Sequence, residues 1–224
     1  MDSAAALTQV EERIARACTI AKREREEVNL IAVSKTHPVD RIEPVLEAGQ
    51  RLFGENRVQE AQDKWPDLRE RFPDVELHLI GQLQSNKAED AAALFDVIHS
   101  LDRPSLLKAL AKAYDKLGRR VPCFIQVDVG EEEQKGGCAI AGLPALIDQA
   151  READIPLLGL MCIPPADKEP APFFALLGDL ARRHEPEPGA WGLSMGMSSD
   201  YETAIMLGAT HIRVGSALFG ARGR

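Results

Sequence analysis

The sequence contains no apolar segment approaching the about 18 residues that a membrane-spanning helix requires. Its first apolar-periodic stretch carries Glu11, Glu12 and Arg13, so the N-terminus also lacks the continuous apolar segment of a signal peptide. Cysteine is scarce and widely scattered, at Cys18, Cys123, Cys138 and Cys162. No C-x-x-C pair suggests a zinc site or a redox dithiol. These absences predict a soluble protein of the reducing cytoplasm.

Positive charge is in deficit, with 27 Lys and Arg against 35 Asp and Glu and a formal net charge of −8. This balance argues against a broad nucleic-acid or anionic-membrane footprint and leaves room only for a local anion pocket. A length of 224 residues suits an α/β barrel, which often runs to about 200–250 residues as one unit. The sequence shows no low-complexity tract, internal repeat or domain boundary. We therefore expect residues 1–224 to form a single domain.

Short apolar or β-branched runs alternate with amphipathic helical patterns along the whole chain. The candidate strands are residues 30–34, 51–54, 76–81, 96–100, 122–129, 157–163, 191–195 and 211–215. The candidate helices between them are residues 41–49, 57–70, 84–94, 104–117, 143–153, 173–183 and 198–208, with a short one near 216–221. Asp40 with Glu43 resembles a capping box that starts the first of these helices.

An additional amphipathic helix precedes the first strand, with apolar residues at Leu7, Val10, Ile14, Ala17 and Ala21. Eight strand–helix units close most naturally into a (β/α)₈ TIM barrel, and an open doubly wound sheet is the alternative. The loops at 131–137 and 164–172 follow strands and are expected at the C-terminal face.

Lys35 ends the first predicted strand, in the stretch NLIAVSKTHP. In a barrel, the C-terminal ends of the strands face the mouth where active sites lie. A free lysine has a pKa of about 10.4, so only about one in a few thousand carries the neutral, nucleophilic amine at pH 7. An apolar wall and neighbouring cations would favour that neutral form. Taken alone, a solvated lysine that opens a loop is the commoner explanation.

Two glycine and hydroxyl motifs follow the last two predicted strands, LSMGMSSD and RVGSALFG. Gly196 and Gly215 allow close backbone approach, and the following helix starts offer N–H groups to an anion. Ser198 and Ser216 add hydroxyl donors. One such motif is common, but two after strands 7 and 8 of a barrel indicate a phosphate site. With Lys35 beside them across the closed seam, the ligand suggested is pyridoxal phosphate bound as an imine.

Several blocks of the sequence together resemble the pyridoxal phosphate homeostasis proteins, a family similar to the barrel domain of alanine racemase. The blocks are AVSKTHP, FGENRVQEAQDKW, HLIGQLQSNK, HSLDR, GLMCIPP, LSMGMSSDYETAIMLGAT and RVGSALFGAR, reaching from residue 32 to residue 222. The resemblance implies that Lys35 carries pyridoxal 5′-phosphate as a Schiff base. It also implies that Ser198, Gly215 and Ser216 hold the phosphate.

The resemblance further implies that Arg213 faces the pyridine nitrogen of the cofactor. A guanidinium only donates hydrogen bonds, so the ring nitrogen stays unprotonated and the cofactor is a poor electron sink. The alternative for Arg213 is a core-edge residue paired with a carboxylate. Asn56 either bonds the phenolic oxygen of the cofactor or orients the lysine, unless it caps the following helix. Asn86 and Lys87 are candidates for a relay or transfer site, with a helix cap and a solvated lysine as equal alternatives.

The remaining histidines and tyrosines bear on catalysis. His78, His99 and His211 lie in or beside strands without the spacing of a metal site, so we interpret them as satisfied barrel histidines and expect no metal. Racemases of the related barrel add a C-terminal domain that supplies a tyrosine base. Here the sequence ends just after the eighth unit, and Tyr114 and Tyr201 both fall in helical patterns.

Three functions remain. The expected one is a monomeric, non-enzymatic carrier that holds pyridoxal phosphate on Lys35, maintains vitamin B6 homeostasis and supplies the cofactor to apo-enzymes. The first alternative is a pyridoxal-phosphate-dependent amino-acid racemase or lyase. The second drops the cofactor and makes Lys35 the base of a class I aldolase acting on a sugar phosphate.

Overall fold

The computed structural model describes residues 3–132 and 136–220. Its parallel strands are β1 (Asn29–Val33), β2 (Leu52–Glu55), β3 (Glu76–Leu79), β4 (Val97–Leu101), β5 (Cys123–Asp128), β6 (Leu157–Met161), β7 (Gly192–Met197) and β8 (His211–Val214). Each strand pairs with the next along the chain, and β8 pairs with β1. The sheet is therefore closed. The (β/α)₈ barrel prediction is confirmed, and the open doubly wound alternative is excluded.

The helices are α1 (Ser3–Ala21), α2 (Val39–Glu47), α3 (Val58–Arg71), α4 (Ala88–Leu94), α5 (Pro104–Leu117), α6 (Leu143–Glu152), α7 (Ala171–His184), α8 (Tyr201–Met206) and α9 (Ser216–Phe219). The predicted N-terminal helix is confirmed as α1, whose apolar stripe is buried against α2, α8 and α9. It thereby covers the junction between β8 and β1. None of the described helices combines the length and the apolarity needed to cross a membrane.

The predicted start of α2 is wrong. The helix begins at Val39, after an extended Pro38, and no side chain caps its first turn. Asp40 therefore lies inside the helix rather than at its cap. The predicted start of α8 is also shifted, because 198–200 form a turn in which the Asp200 carboxylate accepts the N–H of Met197 at 2.6 Å.

Both faces of the barrel strands are covered, which explains their near-continuous apolar sequences. Outside the strands, an apolar layer that includes Ile42, Trp65 and Phe174 joins the sheet to the helices. Inside, Val97, Phe124 and Met161 pack together. The interior is thus a filled core, and open space is confined to the ends of the strands.

The strand register determines which residues meet at the mouth of the barrel. Ala32 of β1 pairs with Val214 of β8, while Val33 pairs with Gly54 of β2. The chain after β1 therefore emerges between the end of β2 and the end of β8. The predicted mouth loop at 131–137 is described only in part, because 133–135 lie outside the described residues.

Candidate functional site at the barrel mouth

A cavity of about 480 Å³ lies at the C-terminal ends of the strands. This volume falls within the range of about 300–1,000 Å³ that is usual for small-molecule sites. Six of the seven predicted site residues line it, namely Lys35, Asn56, Ser198, Arg213, Gly215 and Ser216. No acidic residue is among the described residues that line it, so the cavity suits an anionic ligand.

Lys35 is partly buried and forms part of the cavity wall, next to apolar groups that include Val33 and Ile80. It sits in a tight turn in which the N–H of His37 donates to the carbonyl of Ser34 at 3.1 Å. The side chain thus borders the cavity, which favours the reactive amine over a solvated lysine that only opens a loop.

The predicted phosphate end of the cavity lies where β7 and β8 end. The N–H of Gly215 donates to the Ser198 hydroxyl at 3.1 Å and so ties the two loops together. A Cβ atom at Gly215 would lie 3.3 Å from both Cβ and O of Val33, which shows how closely β8 approaches β1. Ser216 begins α9, and the N–H groups of Ser216 and Ala217 precede the hydrogen-bond ladder of that helix. Ser198, Gly215 and Ser216 therefore lie together at this end of the cavity.

Gly196 is the predicted site residue that does not line this cavity. Its φ of +93° is in the region that favours glycine, and an added Cβ would lie 2.6 Å from Cβ of Ala204 and 2.9 Å from Cα of Tyr201. The geometry gives Gly196 a packing role against α8. Its contact with a ligand stays a prediction.

Asn56 lines the cavity, and the cap position of α3 is occupied by Arg57 instead. The main chain of Asn56 is packed against Gly81, where a Cβ would lie only 2.3 Å from the Asn56 carbonyl oxygen. Sequence reasoning missed Gly81. The available signal was its position just after the end of β3, in the block HLIGQLQSNK.

Asn86 and Lys87 lie in a 3₁₀ helix, Ser85–Lys87, and are not among the residues that line the cavity. The Lys87 amine is 3.1 Å from the Asp90 carboxylate, and both side chains are about 40% exposed. A transfer role for this segment stays a prediction.

Arg213 is buried, with 4% of its surface exposed, at the base of the cavity. Its Nη1 donates to the Ser194 hydroxyl at 2.6 Å, and its Nη2 donates to the carbonyl of Cys162 at 2.9 Å. Burial lowers the pKa of Arg213. The guanidinium nevertheless keeps its charge, because its ordinary pKa is very high. These bonds go to neutral partners, which differs from the carboxylate pairing considered as the alternative.

A polar chain continues from Arg213 into the barrel interior. His99 Nδ1 is 2.8 Å from the Ser194 hydroxyl, and His99 Nε2 is 2.9 Å from His78 Nδ1. Arg213 can only donate, so the Ser194 hydroxyl accepts from it. In the His99 tautomer with its proton on Nε2, Ser194 donates to Nδ1 and Nε2–H donates to His78. Burial, aided by repulsion from His78, lowers the pKa of His99 well below its usual value and keeps the ring neutral.

The prediction of a satisfied barrel histidine is thereby supported for His99, whose two ring nitrogens both have partners. For His78 it holds only at Nδ1, because the buried Nε2 has no hydrogen-bond partner within the described residues. His211 also lies in the interior, edge-on to Phe124 with ring centroids 5.0 Å apart, and burial lowers its pKa to about 4. Across residues 3–132 and 136–220, no group of His, Cys, Asp or Glu could hold a metal ion.

Neither tyrosine borders the cavity. The Tyr114 hydroxyl donates to the carbonyl of Val121 at 2.7 Å, on the helical layer. Tyr201 is buried in α8, and the Arg13 guanidinium lies 5.2 Å from its ring centroid. A tyrosine base is therefore not found among the described residues at the cavity.

Sequence reasoning also missed a buried ion pair beside the lysine. Glu55, the last residue of β2, is fully buried and lies 2.7 Å from the amine of Lys64 in α3. The sequence carried a signal for this pair, because an acidic residue at the end of an apolar strand needs a partner.

Comparisons with known proteins agree with this geometry. The sequence model of the family "Alanine racemase, N-terminal domain" matches residues 6–223. The pyridoxal phosphate homeostasis protein of Escherichia coli K12 is 39% identical over 232 residues, which covers 99% of this chain and 97% of that protein.

Among solved structures, PipY of Synechococcus elongatus with PLP bound is 39% identical, has a TM-score of 0.82, and is matched over 94% of this chain and 100% of its own. An alanine racemase from E. faecalis shares the fold alone, with 15% identity and a TM-score of 0.70 over 99% of this chain and 59% of its own. The chain belongs to the alanine racemase N-terminal domain family and, within it, to the pyridoxal phosphate homeostasis proteins.

Proposed function

We propose that this protein binds pyridoxal 5′-phosphate as a Schiff base on Lys35 and holds it for supply to apo-enzymes, as a part of vitamin B6 homeostasis. One observation carries the proposal: a single cavity joins the amine-bearing end of β1 to the donor groups of Ser198, Gly215 and Ser216. The name of the Escherichia coli relative and the PLP-bound structure of PipY support the choice of cofactor.

The residues present fit the cofactor at both ends. Its phosphate matches a cradle of hydroxyl and N–H donors without acidic neighbours, and its aldehyde matches the amine of Lys35. Bound pyridoxal phosphate would supply an electrophilic carbonyl carbon. The amine of Lys35 would hold the aldehyde end of the cofactor as a Schiff base, and hydrolysis of that bond would make the store reversible.

A carrier role fits the site better than catalysis. Arg213 would offer the pyridine nitrogen only N–H donors, which leaves that nitrogen unprotonated and weakens the cofactor as an electron sink. Neither Tyr114 nor Tyr201 borders the cavity to act as a second base. The likeness to alanine racemase concerns the fold, and the named relative is a homeostasis protein.

We further propose that residues 1–224 act as one pyridoxal-phosphate-binding domain, as a monomer in the cytoplasm. Four cysteines that are free and buried favour a reducing compartment. Light scattering of the loaded protein measures the oligomeric state. Mixing it with an apo-enzyme that depends on pyridoxal phosphate, and following the return of that enzyme's activity, measures supply.

Borohydride trapping followed by mass spectrometry tests the central proposal. Protein reconstituted with pyridoxal phosphate should show imine absorbance and, after reduction, a pyridoxyl phosphate increment on the peptide that contains Lys35. Lys35→Ala should lose both signals, whereas the matched variant Lys87→Ala should keep both.

The same trapping separates the alternatives. A colourless wild type without an adduct contradicts the proposal. A sugar adduct formed with a sugar phosphate supports the aldolase, and deuterium exchange at the α-carbon of an amino acid, lost in Lys35→Ala, supports a racemase or lyase.

A further inference from the structure

A cluster of charges from α3 reaches the turn that carries Lys35. The side chain of Lys64 is only 10% exposed, and its amine lies 2.7 Å from the Glu55 carboxylate and 2.9 Å from the Glu60 carboxylate. The same amine donates to the carbonyl of Ser34 at 3.1 Å and to the carbonyl of His37 at 3.4 Å. These two carbonyls are the first and last of the turn, so one ammonium holds both of its ends.

The carboxylates of Glu55 and Glu60 bind the same turn through hydrogen bonds of their own. The hydroxyl of Ser34 donates to Glu55 Oε1 at 2.8 Å, and the N–H of Thr36 donates to the Glu60 carboxylate. Ser34 and Thr36 are the residues immediately before and after Lys35. Thr36 has a φ of +64°, which a threonine adopts only when its surroundings impose it.

The burial of Glu55 indicates that packing alone does not explain the cluster. Glu55 is fully buried, and burial raises the pKa of its carboxyl while the charge of Lys64 opposes that change. Ser34 and Trp65 donate to Oε1 and the Lys64 ammonium pairs with it, whereas Oε2 has no hydrogen-bond partner within the described residues. An apolar pair would fill this position at less cost in desolvation.

We propose that Glu55, Glu60 and Lys64, together called the turn clamp, are positioning residues that fix residues 34–37 so that the Lys35 amine faces the aldehyde of the bound cofactor. This inference rests on the proposed function. The turn clamp extends the proposed function, because it would set the rate at which Lys35 captures the cofactor. Attack on a carbonyl requires a near-attack geometry, and a misplacement of about 1 Å lowers a rate by about 100-fold.

The test compares capture of pyridoxal phosphate with binding of 4′-deoxypyridoxine 5′-phosphate, which carries the ring and phosphate but no aldehyde. Stopped-flow absorbance measures imine formation, and competition measures affinity for the deoxy analogue. In Glu60→Ala and Lys64→Met we expect imine formation to slow by about tenfold or more, with the affinity for the analogue within about twofold of wild type.

Two further variants make the comparison sharper. The double variant Glu55→Gln with Lys64→Met covers the case in which Lys64→Met alone fails to fold, because it leaves no fully buried carboxylate without its cation. Lys116→Met is the matched control, because Lys116 forms an exposed pair with Glu89 at 2.6 Å, away from the mouth. This control should bind both ligands as the wild type does.

Imine formation at the wild-type rate in Glu60→Ala and in the double variant overturns the inference. An equal loss of both ligands overturns it as well, because it indicates a general disturbance of the barrel rather than a displaced lysine. A wild type that yields no borohydride adduct on Lys35 refutes the proposed function itself and the inference with it, and this result is distinct from the other two.

Discussion

Gly81→Ala isolates one steric requirement of the site. An added Cβ would lie 2.3 Å from the carbonyl oxygen of Asn56 and 2.8 Å from its Cα, whereas ordinary contacts of a Cβ begin at 3.4 Å. The atoms in the way belong to main chain, so no rotamer change relieves the overlap. Gly81 is not among the glycines with positive φ, and the backbone there accepts alanine without strain. Relief therefore requires a shift of about 1 Å between Gly81 and Asn56.

The expected cost follows from that shift. Overpacking of this kind destabilises a protein by about 1–3 kcal/mol. For a chain of this length, 1 kcal/mol lowers the melting temperature by about 2–4 °C, so we expect a decrease of about 2–12 °C. Since Asn56 lines the cavity, its displacement should also weaken pyridoxal phosphate binding by about tenfold.

Gly142→Ala is the matched control. A Cβ at Gly142 meets nothing within 4 Å, and its φ of −88° suits alanine. This variant should melt at or slightly above the wild-type temperature, because alanine lowers the entropy of the unfolded chain. Thermal melting without ligand and absorbance titration with pyridoxal phosphate measure the two effects. A Gly81→Ala protein that melts and binds as Gly142→Ala does would refute the reasoning.

Two other perturbations test the phosphate cradle and the buried histidines. Ser198→Ala removes a hydroxyl donor and should weaken pyridoxal phosphate binding by about 10- to 100-fold, while leaving binding of pyridoxal, which has no phosphate, nearly unchanged in the same titration; equal losses for both ligands would contradict the assignment. Burial lowers the pKa of His211 to about 4, so its contribution to stability is complete above pH 6.5 and is lost as the pH falls toward 4. The loss should reach about 2 kcal/mol at pH 5, measured by urea unfolding, and His211→Asn should show a smaller difference between pH 7.5 and pH 5.

The fold was largely predictable because each strand and helix has a local signature. The alternation of apolar runs with 3.6-residue periodicity located all eight barrel strands. The closed form of the sheet was less certain, because it depends on the pairing of β1 with β8, which are the most distant strands in sequence. The start of α2 was mispredicted because Asp40 has the residue type of a cap, but the helix begins after Pro38, two residues earlier than predicted.

Within the site, the residues that could be predicted follow strand ends, whereas the missed residues depend on contacts between separate elements. Lys35, Ser198 and Ser216 follow strand ends, where the register of a barrel determines which residues meet. The turn clamp and the contact between Gly81 and Asn56 depend on side chains or backbones of separate elements, and no sequence spacing encodes those contacts. Gly196 illustrates the converse, since this predicted site residue packs against α8 and does not line the cavity.

The polar chain inside the barrel, from Arg213 through Ser194 and His99 to His78, explains how Arg213 would stay a hydrogen-bond donor toward the cofactor ring. With His99 neutral, the Ser194 hydroxyl donates to His99 and presents a lone pair to Arg213. If His99 were protonated, Ser194 would have to accept from both sides and its own proton would need another acceptor. Burial opposes that state by lowering the pKa of His99. The guanidinium therefore stays anchored as a donor across the neutral pH range. Under the proposed function it would leave the pyridine nitrogen unprotonated, which favours holding the aldehyde over withdrawing electrons from an amino acid.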